Sequence, residues 1–238
     1  NKLGVKISYK TKEDKMKNLH ERIDEITEQF VDMFKNVDRL LKINMEMLEK
    51  RVFIQSLYGE AKVIEDRINA SEVRIKENSI QAIARFQPAA RDLRALLTFI
   101  ECVKMLERMG DLLKSNLKLM RKLNKDGNGA KEHLYIIEEM AKKVNDIFET
   151  YIKAFVERDE NKIYILLACD DEIDEMRVDI VKEIIDFMKE NPENVFGGSI
   201  ILLLSKKFER LSDKIMQLGN GLIYTMNGEY LRKQELDI

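Results

Sequence analysis

The residues with the plainest capacity for chemistry are two acidic pairs in a repeated signature, Leu106-Glu107-Arg108-Met109-Gly110-Asp111 and Phe208-Glu209-Arg210-Leu211-Ser212-Asp213. The copies share a register, because 209 − 107 and 213 − 111 are both 102. A Glu and an Asp four residues apart on a helix lie on one face, one turn above the other. Such like charges repel by roughly a few tenths of a kcal/mol, and a bound cation would relieve them. The competing reading is a solvated face whose acids pair with Lys104, Lys114, Arg210 or Lys214.

A second acidic set precedes each pair. In the first half it is Glu65, Asp66, Asn69 and Glu72, of which Glu65, Asn69 and Glu72 share one helical face. In the second it is Asp170-Asp171-Glu172-Ile173-Asp174-Glu175, an acidic run with no cation in it. The sets correspond at a second offset, since 170 − 65 and 174 − 69 are both 105. If the helices that carry them pack as neighbours, the acidic faces converge on one oxygen-lined site per half. Oxygen ligands favour hard cations such as magnesium, manganese, calcium or iron, and zinc is admitted. Neither His20 nor His133 completes a Glu-x-x-His arrangement, which argues against a ferritin-like di-iron centre. With no phosphate-binding P-loop, nucleophile elbow or zinc-binding His pair in the sequence, the chain reads as a non-enzyme.

Long helices must position these acids. Among 238 residues there are only 2 prolines and 10 glycines, and 35% of the chain is charged. Apolar spacing predicts helices over roughly 19–49, 54–85, 131–157, 160–190 and 199–226. The clearest seam belongs to a further helix, with Leu96, Phe99, Val103, Leu106, Gly110, Leu113, Leu117 and Met120 at 3 and 4 spacing. Gln87-Pro88 and Asn191-Pro192 are stops, because the residue before proline is pushed out of the helical region. The turn-rich stretch Asn124-Lys125-Asp126-Gly127-Asn128-Gly129 divides the chain into near-halves. The expected fold is all-α, two tandem antiparallel three-helix bundles of six long helices related by internal duplication. Residues 1–17 read as a basic tail or linker, 18–126 as the first bundle and 130–230 as the second.

The net charge of −2 offers no global field for nucleic acid, and the apolar runs are too short to insert in a membrane. Cys102 and Cys169 are expected to be free and buried, in keeping with a reducing cytoplasm. The start at Asn1 in place of Met leaves room for an upstream portion.

The stretch Gln87-Pro88-Ala89-Ala90-Arg91-Asp92-Leu93-Arg94, followed by Glu107-Arg108-Met109-Gly110-Asp111, resembles the Q-P-x-x-x-D-L-R … E-R-x-G-D signature of the PhoU family of phosphate-uptake regulators. The second-half Glu209-Arg210-Leu211-Ser212-Asp213 is similar to that family's repeated E-x-x-x-D motif, and the resemblance spans roughly residues 19–230. It implies carboxylate-bound metal ions or small clusters, often iron or zinc. By position the ligands would be Glu65, Asn69, Glu107 and Asp111 in one half and Asp170, Asp174, Glu209 and Asp213 in the other. The chain departs from the pattern at Asn69, where Asp is commoner, and at Ser212, where Gly or Ala is usual. Ser115 and Gln217 are weaker ligands than the Asp or Asn found there in some members.

The resemblance further implies a cytoplasmic, metal-binding negative regulator of phosphate transport and phosphate-starvation signalling. It would dock to a sensor histidine kinase and to the ATP-binding subunit of a phosphate ABC transporter, reach the membrane only through those partners, and admit a homodimer. Two alternatives stand beside it: the cytoplasmic PhoU-like domain of a sodium/phosphate cotransporter, and a structural helical interaction module without metal. Asp92 and Arg94 are explained by the helix dipole and a local ion pair, with a direct signalling contact as the rival.

Overall fold

The apolar periodicities take shape as a helical assembly whose described residues, in the computed structural model, are 12–127, 129–168 and 170–227. The elements are α1 (Lys12–Glu49), α2 (Gln55–Phe86), α3 (Ala90–Asp126), a 3-10 turn (Ala130–His133), α4 (Leu134–Glu157), α5 (Glu160–Ala168), α6 (Asp170–Glu190) and α7 (Asn194–Asn227). The expected helix over 160–190 is thus described as α5 and α6, with residue 169 outside the described residues. Residues 12–17, read as part of a tail, are already helical, and residues 1–11 lie outside the described set. Among the described residues there is no strand, and no helix is long and apolar enough to cross a membrane.

The stops fall where proline was expected to put them. Helix α2 ends at Phe86, and Gln87 adopts a left-handed conformation (φ 49°) that lets its N–H donate to the Ile83 carbonyl at 2.9 Å. Pro88 then prevents continuation. At the end of α6 the Asn194 side-chain amide donates to the Phe187 carbonyl at 2.9 Å, tying the turn to the helix it leaves. Helix α7 therefore begins at Asn194, five residues ahead of the expected start at 199. Gly197 and Gly198 weaken the helical signal there, yet close packing explains Gly198: a Cβ at that position would lie 2.7 Å from Met188 Cγ and 3.2 Å from Ile184 Cγ2.

Helices α1, α2 and α3 pack on one another, as α4, α6 and α7 do, giving two antiparallel three-helix bundles. The bundles meet along two lines, α1 against α4 and α3 against α7, and the buried side chains form one continuous cluster. An aromatic seam joins α1 to α4. The Phe34 ring lies 5.5 Å from Tyr151, 5.2 Å from Phe155 and 6.2 Å from Phe148, with steep edge-on angles. Such pairs add about 0.5–1.5 kcal/mol beyond the area they bury. Between α3 and α7 the Thr225 hydroxyl donates to Thr98 Oγ1 at 2.9 Å, and a Cβ on Gly221 would come 2.9 Å from Cys102 Sγ. Cys102 is free and buried, and burial, with the Glu101 charge, pushes its thiol pKa up to about 12. Cys169, the other cysteine expected to be buried, lies outside the described residues.

Because Phe34 is fully buried and touches rings of both bundles, Phe34→Ala should lower stability by about 3–5 kcal/mol. Urea unfolding followed by circular dichroism measures this, and a loss below about 1 kcal/mol would contradict the account of the seam.

Candidate functional site

Helices α2 and α3 run antiparallel, and their register decides which acids meet. Lys114 Nζ sits 2.5 Å from Glu65 Oε2 at one end of the contact. In the middle, Gly110 faces Ile68, whose Cδ1 would be 3.2 Å from a Cβ on that glycine. At the other end Glu72 comes near enough to Glu107 to repel it. Asn69 and Asp111 fall between these rungs, so the first-half acids do share the α2–α3 boundary.

Their electrostatic states differ. Glu65 is buried and fully engaged, with Lys114 on one oxygen and the Asn69 amide donating to the other at 3.3 Å. Lys114, considered from sequence as a partner for the signature acids, instead neutralises the acid on the neighbouring helix. Glu72 has Lys76 at 3.4 Å. Glu107 is held above the usual carboxylate range, first by burial, then by the charges of Asp111 and Glu72 and by a hydrogen bond with Asp111; the Arg108 charge opposes this only in part. Asn69 Oδ1 is buried with no hydrogen-bond partner. An orphaned buried acceptor on the same helix boundary as a mutually repelling carboxylate pair is a donor-poor environment that an oxygen-seeking cation would satisfy.

The second half repeats the geometry with different charges. Ser212 is buried on the α7 face, its hydroxyl without a hydrogen-bond partner. Glu209 has Lys206 Nζ at 2.6 Å and Arg177 Nε at 3.9 Å. Arg177 occupies the place of Glu72, since 177 − 72 is again 105, and Met216 occupies that of Lys114, since 216 − 114 is 102. The cation has therefore moved from one end of the site to the other. Asp174 and Asp213 are exposed, while the side chain of Asp170 lies outside the described residues. Among the described residues no three His, Cys, Asp or Glu side chains are drawn together as a ready ligand group. Sequence reasoning missed Arg177 and Lys206. The offset of 105 from Glu72 was the signal that would have found the first.

Asp92 sits in the first turn of α3, and its Oδ2 lies 3.4 Å from His20 Nε2. That position suits the helix dipole and a local pair.

The family model described as "PhoU domain" matches residues 30–120 and again 137–220. A phosphate-specific transport system accessory protein PhoU homolog of Clostridium acetobutylicum is 29% identical, covering 87% of this chain and 93% of its own. The homolog of the same description from Deinococcus radiodurans is 24% identical, over 83% of this chain and 91% of its own. In solved structures the fold is similar to PhoU from Pseudomonas aeruginosa, at a TM-score of 0.81 and 21% identity, covering 88% of this chain and 99% of that one. It is also similar to the phosphate transport system regulatory protein PhoU from Streptococcus pneumoniae, at 0.80 and 21%, over 90% and 99%. Matched twice along its length, once through each three-helix bundle, the chain belongs to the PhoU family.

Proposed function

We propose that this protein is a cytoplasmic accessory regulator that restrains phosphate transport and phosphate-starvation signalling by protein docking. The observation that carries this reading is the double match to the PhoU domain, together with relatives described as accessory proteins of the phosphate-specific transport system. By resemblance, its partners are a sensor histidine kinase and the ATP-binding subunit of the phosphate transporter.

The residues at the α2–α3 boundary fit a hard cation. Glu107 and Asp111 supply negative oxygens, and Asn69 Oδ1 is a buried acceptor that nothing else satisfies. A bound ion would supply charge that holds the two helices in one presentation; the residues orient its oxygens and keep Lys114 occupied by Glu65. In the second half Asp174, Glu209 and Asp213, with Asp170, are the corresponding candidates, but Arg177 and Lys206 already neutralise Glu209. A cation there competes with those two positive charges, although Glu209 Oε2 itself accepts no hydrogen bond. The first-half site is therefore the stronger one, a ranking opposite to the one that counting carboxylates suggests. Iron, zinc, magnesium, manganese and calcium all remain within the chemistry of these ligands.

The sign of the Glu107 effect is testable without metal. A carboxylate whose folded pKa is raised stabilises the fold most when protonated, and that contribution is lost as pH rises through the folded value. In chelator-treated buffer Glu107→Gln should therefore raise the thermal midpoint at pH 7. The gain should shrink as pH falls through the raised value and vanish below the ordinary carboxylate range. A variant less stable than wild type at pH 7 would contradict the repulsion.

With manganese added at about 100 times its Kd, wild type should gain about 2.7 kcal/mol and Glu107→Ala/Asp111→Ala far less. Elemental analysis of protein purified without chelator should find an ion in wild type that this variant loses. In cells, deleting the gene should derepress phosphate-starvation genes in phosphate-rich medium. An unchanged reporter would reject the regulatory role whatever the metal content.

A further inference from the structure

On the opposite side of Asp111 from α2, the α3–α7 contact opens into a groove of about 300 Å³ whose walls are cationic. Arg108 and Ser115 line it from α3, seven residues apart on one helical face. Lys207, Arg210 and Lys214 line it from α7, also on one face. The antiparallel register that puts Thr98 beside Thr225 brings Arg108 across from Lys214 and Ser115 across from Lys207. Four cations thus face one another over a single carboxylate, Asp111.

None of these four cations is held by an ion pair among the described residues. Among the described residues Arg108, Lys207 and Arg210 form no ion pair within 4 Å, and Lys214 reaches only the neutral Gln217 Oε1 at 2.9 Å. Lys207 is partly buried, and burial together with the Arg210 charge lowers its ammonium pKa. Arg108 and Arg210 are the same position of the two repeats, 102 residues apart, so the duplication delivers both guanidinium groups to one groove. Like charges facing one another in excess of the one carboxylate favour an anion between them. Guanidinium forks match tetrahedral oxyanions in a bidentate way, while lysines add point charge and a serine hydroxyl adds a neutral donor.

We propose that the groove between α3 and α7 binds a compact phosphate anion, orthophosphate or a short oligophosphate, through Arg108, Lys207, Arg210 and Lys214. The excess of cations over Asp111 favours a multiply charged species. The assignment does not rest on metal at the α2–α3 boundary; Asp111 is the one residue common to both places.

The test is calorimetric titration of the full chain in low-salt, chelator-containing buffer with orthophosphate, pyrophosphate and sulfate. At least one of the two phosphates should bind, and whichever is tighter identifies the ligand's source. Arg108→Gln/Arg210→Gln, both at exposed positions, and Lys214→Gln separately should each weaken that binding, the double variant at least tenfold. Lys182→Gln/Lys189→Gln, which removes two exposed lysines of α6, should leave it unchanged. Asp111→Asn should tighten it, because it removes the only carboxylate in the groove. The proposal is overturned by no binding of either phosphate, by sulfate binding as tightly as both, or by undiminished binding in the double variant. Weakening by Asp111→Asn, or equal weakening by the α6 control, overturns it as well.

Discussion

Helix α3 is buried on two sides at once, and the rest of the molecule is arranged around that constraint. One side packs on α2 within its own bundle, the other on α7 of the second bundle, and α1 lies against it as well. Leu96, Val103, Leu106, Leu113 and Leu117 form a fully buried seam, while Cys102, Met109 and Leu112 extend burial around the helix. What is left for solvent is narrow. The Glu107–Asp111 ridge borders α2 and the Arg108–Asp111–Ser115 strip borders α7, so opposite charges occupy adjacent edges of one helix. Carboxylates partly withdrawn from water and cations in excess of carboxylates are both consequences of sandwiching a charged helix between two partners.

Duplication explains why the same residue types recur, and its imperfections explain why the halves are not equivalent. Replacing Glu72 by Arg177 and Lys114 by Met216 keeps the backbone plan and moves the neutralising charge from one end of the α2–α3-type contact to the other. The first half is left with a repelled Glu107 and an unsatisfied Asn69 acceptor, the second with a Glu209 that accepts from Lys206 and has Arg177 nearby at 3.9 Å, its Oε2 without a hydrogen bond. One fold thereby carries two sites of different electrostatic character. Buried charge left uncompensated costs far more than exposed charge, so the difference falls on the sites and leaves the surrounding core alone.

The fold was legible in the sequence because helical period and proline report directly on backbone. The 3 and 4 spacing from Leu96 to Met120 and the stops at Pro88 and Pro192 needed no knowledge of partners. The start of α7 was less legible, since Gly197 and Gly198 are poor helix formers, and Gly198 is retained because Met188 and Ile184 leave no room for a Cβ. Recognising Glu107 and Asp111 as neighbours required only helix geometry. Assigning Lys114 to Glu65, or Arg177 to Glu209, required the register between helices, which is set by packing at Gly110, Ile68 and Ser212. Arg210 and Lys214 were read as candidate partners for the acids, and they turn instead to the α3–α7 groove because α7 presents that face to the other bundle.

The proposal about the two acidic boundaries turns on the first-half oxygens holding a hard cation in preference to their second-half counterparts. Anomalous diffraction at the manganese edge, from crystals grown with a modest excess of that ion, tests it most directly. The account predicts a peak between α2 and α3 beside Glu107, Asp111 and Asn69, stronger than any peak beside Glu209 and Asp213. A well-occupied peak in the second half with none in the first, or no peak on either boundary, would contradict it.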